Sequence, residues 1–157
     1  MDLDEYCKRL PKEKLFNLAI SLCEKTLPIW DAYSVNNKLS YRDSVVGLLH
    51  EVNTDILSKS ISSCRKCPFE NTPNKLELQN LLKEFEDPIV ALQDLDWELP
   101  SAVKLTFYAV YNLLEGIQKP ITVFDELTQY VSVNQAVNAL EESGLMNFEQ
   151  IRMIIYS

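Results

Sequence analysis

Pro100-Ser101-Ala102-Val103-Lys104-Leu105-Thr106-Phe107-Tyr108-Ala109-Val110-Tyr111-Asn112-Leu113-Leu114-Glu115-Gly116 decides the fold of this 157-residue chain. Pro100-Ser101 suits a helix start. Leu105, Tyr108, Ala109, Asn112 and Leu113 share a face, and Val103, Phe107, Val110 and Leu114 widen it. A helix apolar over so much of its circumference is buried on several sides, so other helices must surround it. Gly116 and Pro120 are expected to end it.

Working outward, helical spacing persists and strict alternation is rare. After Pro11, Leu15, Leu18, Ala19, Leu22 and Cys23 form a stripe, expected to stop or kink at Leu27-Pro28. Asn36-Asn37 reads as a loop. Ser40 as N-cap, with Asp43 in the first turn, predicts a long helix through Val45, Val46, Leu48, Leu49, Val52, Ile56 and Leu57 to about Ser58. Residues 60–74, rich in Ser, Cys, Pro and Asn, read as an irregular connection. A helix is predicted from about Asn74 to Phe85, with Leu78, Leu81, Leu82 and Phe85 inward. A short one follows from Pro88, carrying Ile89, Ala91, Leu92 and Leu95.

Beyond the central helix, Ile121–Tyr130 mixes strand-like and helical residues. A helix from about Val123 through Glu142 fits it best and stops at Ser143-Gly144. Asn147 caps a last helix, supported by Glu149-Gln150 and bearing Phe148, Ile151, Ile154 and Ile155. The expected fold is all-α: a compact bundle of six to eight helices, mostly antiparallel, forming one domain over residues 1–157.

Composition bounds the function. Apolar residues make up 46% and charged residues 24%, which argues for a globular rather than a disordered chain. Three glycines are too few for glycine-rich phosphate loops, and neither a P-loop nor a dinucleotide fingerprint occurs. The net charge of −8 disfavours nucleic acid as a partner, since phosphates need a basic footprint. The N-terminus, Met1-Asp2-Leu3-Asp4-Glu5-Tyr6, lacks a secretory pattern, and no window is long and apolar enough to span a membrane. A cytoplasmic protein with no membrane association is expected.

Chemistry-bearing patterns are sparse. Cys64-Arg65-Lys66-Cys67 has the C-x-x-C spacing of a redox pair or half a zinc site, with basic residues that would lower the thiol pKa values. The partners such a site needs, Cys7, Cys23 or His50, are scattered, and two thiols in a loop is the reading preferred. Cys23 reads as core filling. On a helix, Glu51 and Asp55 would share a face with His50 to one side, but the two-histidine spacing of zinc proteases is absent. A G-x-S-x-G elbow is also absent. No enzyme, no metal and no cofactor are expected.

The clearest asymmetry lies at residues 84–98, which hold Glu84, Glu86, Asp87, Asp94, Asp96 and Glu98 without a Lys or Arg, and contain Trp97. Carboxylates steer a basic partner and an aromatic residue anchors it. These seven residues are the candidate partner-binding site; the competing reading is a solvated acidic surface with Trp97 in the core.

Leu15-Phe16-Asn17-Leu18-Ala19-Ile20-Ser21-Leu22-Cys23-Glu24-Lys25-Thr26-Leu27-Pro28-Ile29-Trp30, followed by the helix expected over Tyr41–Val52, resembles the N-terminal helical pair of small all-α bacterial proteins. Some of these are predicted immunity proteins of polymorphic toxin or contact-dependent inhibition systems. The resemblance covers residues 15–52 and carries over no functional residue. It implies a cytoplasmic bacterial protein that binds and blocks one toxin, and many such toxins are nucleases with basic clefts. The expected function is therefore a non-enzymatic immunity protein that occludes a cognate toxin. Its alternatives are a helical adaptor or regulatory subunit, self-associating through Ile151, Ile154, Ile155 and Tyr156, and a metal-dependent enzyme using His50, Glu51, Asp55 or the cysteine pair.

Overall fold

A computed structural model describes residues 2–67, 75–118 and 123–157, except for the side chains of 118 and 123–127. Seven helices and one two-stranded hairpin are found among the described residues. The chain runs α1 (Leu3–Arg9), α2 (Lys12–Asn36), β1 (Ser40–Arg42), β2 (Leu49–Glu51), α3 (Ile56–Lys66), α4 (Lys75–Gln93), α5 (Ser101–Gln118), α6 (Val123–Ser143) and α7 (Phe148–Ile155). The fold is all-α.

The central helix is α5. It packs on α6, α2, α4 and α3. Val103, Phe107, Ala109, Val110, Leu113 and Leu114 are all buried, as the breadth of its apolar surface requires. Gly116 does not end it: it is buried inside the helix, where a Cβ would meet Gln129 Cγ at 3.0 Å, so its small size serves close approach to α6. A polar stitch joins three helices. Ser132 Oγ on α6 donates to Ala109 O on α5 at 2.7 Å and lies 3.5 Å from Cys23 Sγ on α2. With the serine proton committed to a carbonyl, the Cys23 thiol is the donor of the second bond.

Both internal prolines are tolerated against expectation. Pro28 lies within α2 and Pro88 within α4. Continuing α2 past Pro28 places Trp30 fully in the core, stacked on Phe107 at 5.5 Å, with its indole N–H donating to Thr54 O at 2.9 Å. Burial of so large a ring offsets the roughly 3 kcal/mol a mid-helix proline costs. Likewise Pro88, Ile89, Ala91 and Leu92 are buried on a helix continuous with Leu78, Leu81 and Phe85. Leu95, expected on the short helix from Pro88, is instead exposed at φ +63° beyond the helix end.

The helix predicted from Ser40 to about Ser58 does not form. Residues 40–51 make an antiparallel hairpin, pairing Ser40 with Glu51, Tyr41 with His50 and Arg42 with Leu49. Gly47 sits at φ +72°, a left-handed conformation that glycine adopts without strain. Asp43 turns the chain: its Oδ1 accepts from the Val45 and Val46 amides at 3.1 and 2.7 Å, and its carbonyl accepts from Gly47 N at 3.0 Å. An aspartate bonded to backbone two and three residues on offers the chain a turn in place of a helix. The second helix of the pair that residues 15–52 resemble is therefore replaced by strands. Helix α3 then starts at Ile56 and runs through Lys66, so part of the expected irregular connection is helical, while residues 68–74 lie outside the described residues.

Three other features bear on the termini. Helix α1 is not among the elements that periodicity predicts; Asp2 caps it by accepting from Glu5 N at 2.8 Å, with acids in its first turn and bases in its last. Gly144, at φ +73°, follows α6 where the stop was expected. Asn147 caps α7 in a complete capping box with Gln150.

Phe107 touches Trp30, Phe85 and Trp97, with ring centroids 5.5, 4.8 and 5.5 Å away. Replacing it with alanine removes all three contacts and leaves a cavity the surrounding rings cannot fill. Phe107→Ala is expected to destabilise the protein by about 3–5 kcal/mol, read as a lower midpoint in urea unfolding.

Candidate functional site: the hairpin and the acidic loop

The hairpin has two unlike faces, because strand residues alternate. Tyr41 and His50 form a cross-strand pair, stacked at 5.1 Å and 13°. Tyr41 in turn stacks on Trp97 at 5.6 Å, and Trp97 meets Phe107 edge-on. One face is thus fastened to the core by an aromatic chain. At the tip the apolar residues point away: Val45 is 89% exposed, Val46 66%, Leu48 60% and Leu49 53%. Four large apolar side chains at one exposed turn are unusual for a surface that only meets water.

The loop joining α4 to α5 holds the tip. Asp96 Oδ2 accepts from both Ser44 N and Ser44 Oγ, at 3.0 and 3.1 Å. The Asp96 and Trp97 amides bond back to Ala91 O at 2.9 and 3.1 Å, closing the end of α4 around Leu95. A leucine in the left-handed region is strained by roughly 1–2 kcal/mol, and the Leu95 side chain is exposed. Strain of this kind persists where the surroundings impose it, and it clusters at working surfaces.

The seven residues singled out from the sequence divide into two groups. Glu84, Glu86 and Asp87 are exposed on α4, while Asp94 and Glu98 are exposed on the loop and Asp96 is half-buried beneath Ser44. Trp97 is different: at 4% exposure it lies in the core between Tyr41 and Phe107. Its ring therefore organises the site from below, and apolar surface near the acids comes from the hairpin tip instead. Periodicity does not reveal that tip, because its valines and leucines also satisfy a helix face. Gly47, in the middle of that supposed helix and four residues after Asp43, was the available signal.

Between the hairpin and α4 opens a cleft of ≈ 230 Å³, with Tyr41, His50, Asn53, Glu84 and Asp87 among its lining. Asn53 Nδ2 donates to Glu84 Oε1 at 3.1 Å. His50 Nε2 lies 2.9 Å from Asp43 Oδ2. His50 and Glu51 stand on β2 and Asp55 precedes α3, so the shared helix face expected for Glu51 and Asp55 does not exist. Among the described residues no group of three or more His, Cys, Asp or Glu side chains is placed to hold a metal ion.

All four cysteines are buried, and none is in a disulfide among the described residues. Cys64 lies inside α3 and Cys67 just past its end, so the pair is not set in a loop. Nor do Arg65 and Lys66 lower the thiol pKa values. Burial raises both, and for Cys64 the neighbouring Cys23 and Cys67 add to it. Burial likewise pushes Cys23 up to about 12 and, with Asp4 adding, Cys7 to about 11. Arg65 reaches away to Glu24 on α2, pairing with it through Nη2, with its Nε donating at 2.7 Å.

No helix among the described residues is long and apolar enough to cross a membrane. The class defined by fold and site is thus an all-α protein carrying a buttressed hairpin with an apolar tip beside an acidic loop. Compared with protein-family models, with curated proteins and with solved structures, the chain matches none.

Two measurements check this geometry. The hydrogen bonds and the His50 contact hold the Asp43 carboxyl below the ordinary aspartate pKa, with the Val46 amide the largest cause. A depressed folded value means that its contribution is whole above the ordinary value and is lost as pH falls through the lowered one. Hydrogen-exchange protection factors at Val45, Val46 and Gly47, which divide out the intrinsic pH dependence of exchange, are therefore expected to fall in that acid range, and Asp43→Ala to lower them likewise at pH 7. For the thiols, the folded protein at pH 8 is expected to react with an aromatic disulfide reagent far more slowly than the denatured chain, because burial both raises the thiol pKa values and shields the sulfurs.

Proposed function

We propose that the protein is a non-catalytic binding protein that engages a basic protein partner with its hairpin tip and the adjoining acidic loop. The observation that carries this reading is the pairing of exposed Val45, Val46, Leu48 and Leu49 with the carboxylates of residues 84–98. Apolar tip residues supply contact energy, and the surrounding negative charge accelerates and orients the encounter. The same charge repels nucleic acid. A rigid mounting favours binding further: Tyr41, Trp97 and Asp96 pre-organise the tip, which limits the entropy lost on association.

In its particular form the proposal is a cytoplasmic bacterial immunity protein that covers the basic cleft of one toxin domain, a nuclease being a fitting example. This form rests on the resemblance read from residues 15–30, and the second helix of that resemblance, over Tyr41–Val52, is a hairpin instead. An adaptor or regulatory subunit that self-associates through its last helix has less support. Ile151 and Ile155 are buried against the protein's own core, and Ile154 is half-buried.

The test is to look for a toxin domain encoded beside this chain, to express it with and without the chain, and to measure the purified pair by calorimetry. Wild-type protein is expected to restore growth. Val46→Asp with Leu48→Asp should weaken the complex by about 2 kcal/mol or more. Asp94→Lys with Glu98→Lys, which spares the Asp96 contact to Ser44, should chiefly slow association and flatten its salt dependence. Affinity and salt response unchanged in both variants would remove this surface from the interface.

A further inference from the structure

We propose that the outer face of α7 joins two copies of this chain as an antiparallel, two-fold pair, with Glu149 of each copy facing Arg152 of the other. This face shares no residue with the hairpin tip or the acidic loop, so the inference goes beyond the partner-binding reading and does not rest on it.

The face follows from how α7 divides its residues. Ile151 and Ile155 turn into the core, so the isoleucines are not the contact. The opposite side stays apolar: Phe148 is 59% exposed, Met153 75% and Tyr156 38%. Three large apolar side chains on the outer surface of one eight-residue helix mark a contact surface. By the helix period, Glu149, Arg152 and Tyr156 fall within about 60° of one another at the middle of this face, and Phe148 and Met153 flank them on either side.

The charges say what covers it. Neither Glu149 nor Arg152 enters an ion pair among the described residues, although they lie three apart on one helix. Arg152 instead lies over the Phe148 and Tyr156 rings, its guanidinium carbon 5.6 Å from each centroid. The two rings stiffen the guanidinium on the outer face, and a carboxylate is the group its planar fork fits best. A second copy supplies one. Reversing the helix about the point midway between residues 150 and 151 sets Glu149 against the second copy's Arg152, and Arg152 against the second copy's Glu149. The same operation brings Phe148 level with the second copy's Met153 along the axis. A two-fold contact requires this self-complementarity. A parallel pairing would set like charges together, and a purely basic or purely acidic partner would satisfy one charge and oppose the other.

Shape agrees. Helix α7 is about 12 Å long, so its face alone is smaller than the roughly 800 Å² per partner of a standard interface. Beside Met153 opens a groove of ≈ 610 Å³, walled also by Tyr6, Leu10 and Leu18, which extends the apolar surface onto α1 and α2. A contact of this size makes a weak, reversible dimer. Such a dimer adds to the partner-binding role and leaves the hairpin tips to other contacts.

The test needs only this protein. A monomer–dimer equilibrium is expected with Kd on the order of 10–100 μM, read by sedimentation equilibrium of the full chain across that range. Arg152→Glu, and separately Glu149→Arg, set like charges across the two-fold, and each should weaken the homodimer about tenfold. Mixed in equal amounts, these two variants carry opposite charges at the contact and should associate about tenfold more tightly than either alone. Recovery on mixing separates a lost contact from a lost fold, since misfolded chains would not regain association. Met153→Asp should weaken the dimer by a similar factor, and Val46→Asp with Leu48→Asp should leave it unchanged. A chain still monomeric at about 1 mM, dimerisation indifferent to both charge reversals, a mixture no tighter than its components, or loss of the dimer in the hairpin variant would overturn the assignment.

Discussion

Phe107 is the contact on which the rest depends. Its ring meets Trp30 of α2, Phe85 of α4 and Trp97 of the loop before α5, so one side chain joins three parts of the molecule. From Trp97 the aromatic chain continues through Tyr41 to His50, and His50 meets Asp43 at the turn of the hairpin. Core packing and surface geometry are therefore one connected structure. Aromatic pairs add about 0.5–1.5 kcal/mol each beyond the area they bury, and their preferred angles fix direction as well as distance. A short two-stranded hairpin is marginal alone, and this one gains its definition from the rings beneath it.

The surface that results combines two properties with different origins. Its apolar tip exists because Asp43 and Gly47 force a turn that turns four aliphatic side chains outward. Its negative field exists because residues 84–98, the second half of α4 and the loop after it, carry six acids and no Lys or Arg. Asp96 belongs to both: its carboxylate binds Ser44, and its backbone closes α4. The charge pattern and the shape of the tip are thus set by the same few residues.

Much of the helical architecture could be read in advance. The breadth of apolar surface on Ser101–Gln118 required a buried helix, and that is α5. Gly144 after α6 and the Asn147–Gln150 box before α7 are local devices, legible because their partners lie within three or four residues. The prolines were misjudged for the opposite reason. Pro28 and Pro88 are breakers by local rule, and only distant contacts, Trp30 on Phe107 and Phe85 on the same ring, keep α2 and α4 continuous. The hairpin failed on periodicity: valines and leucines at 45, 46, 48 and 49 satisfy a helix pattern, and nothing local says that they face water.

The sequence by itself determined the helical class, the sites of the last two helix boundaries and the negative charge of residues 84–98, because each depends on composition or on neighbours a turn away. Tertiary structure decided that Trp97 is core, that residues 40–51 are strands, and that Tyr41, Glu84 and Asp87 meet at one cleft. Those outcomes depend on which surfaces find partners across dozens of residues. Burial against a distant ring outweighs local preference when the energies differ by only a few kcal/mol.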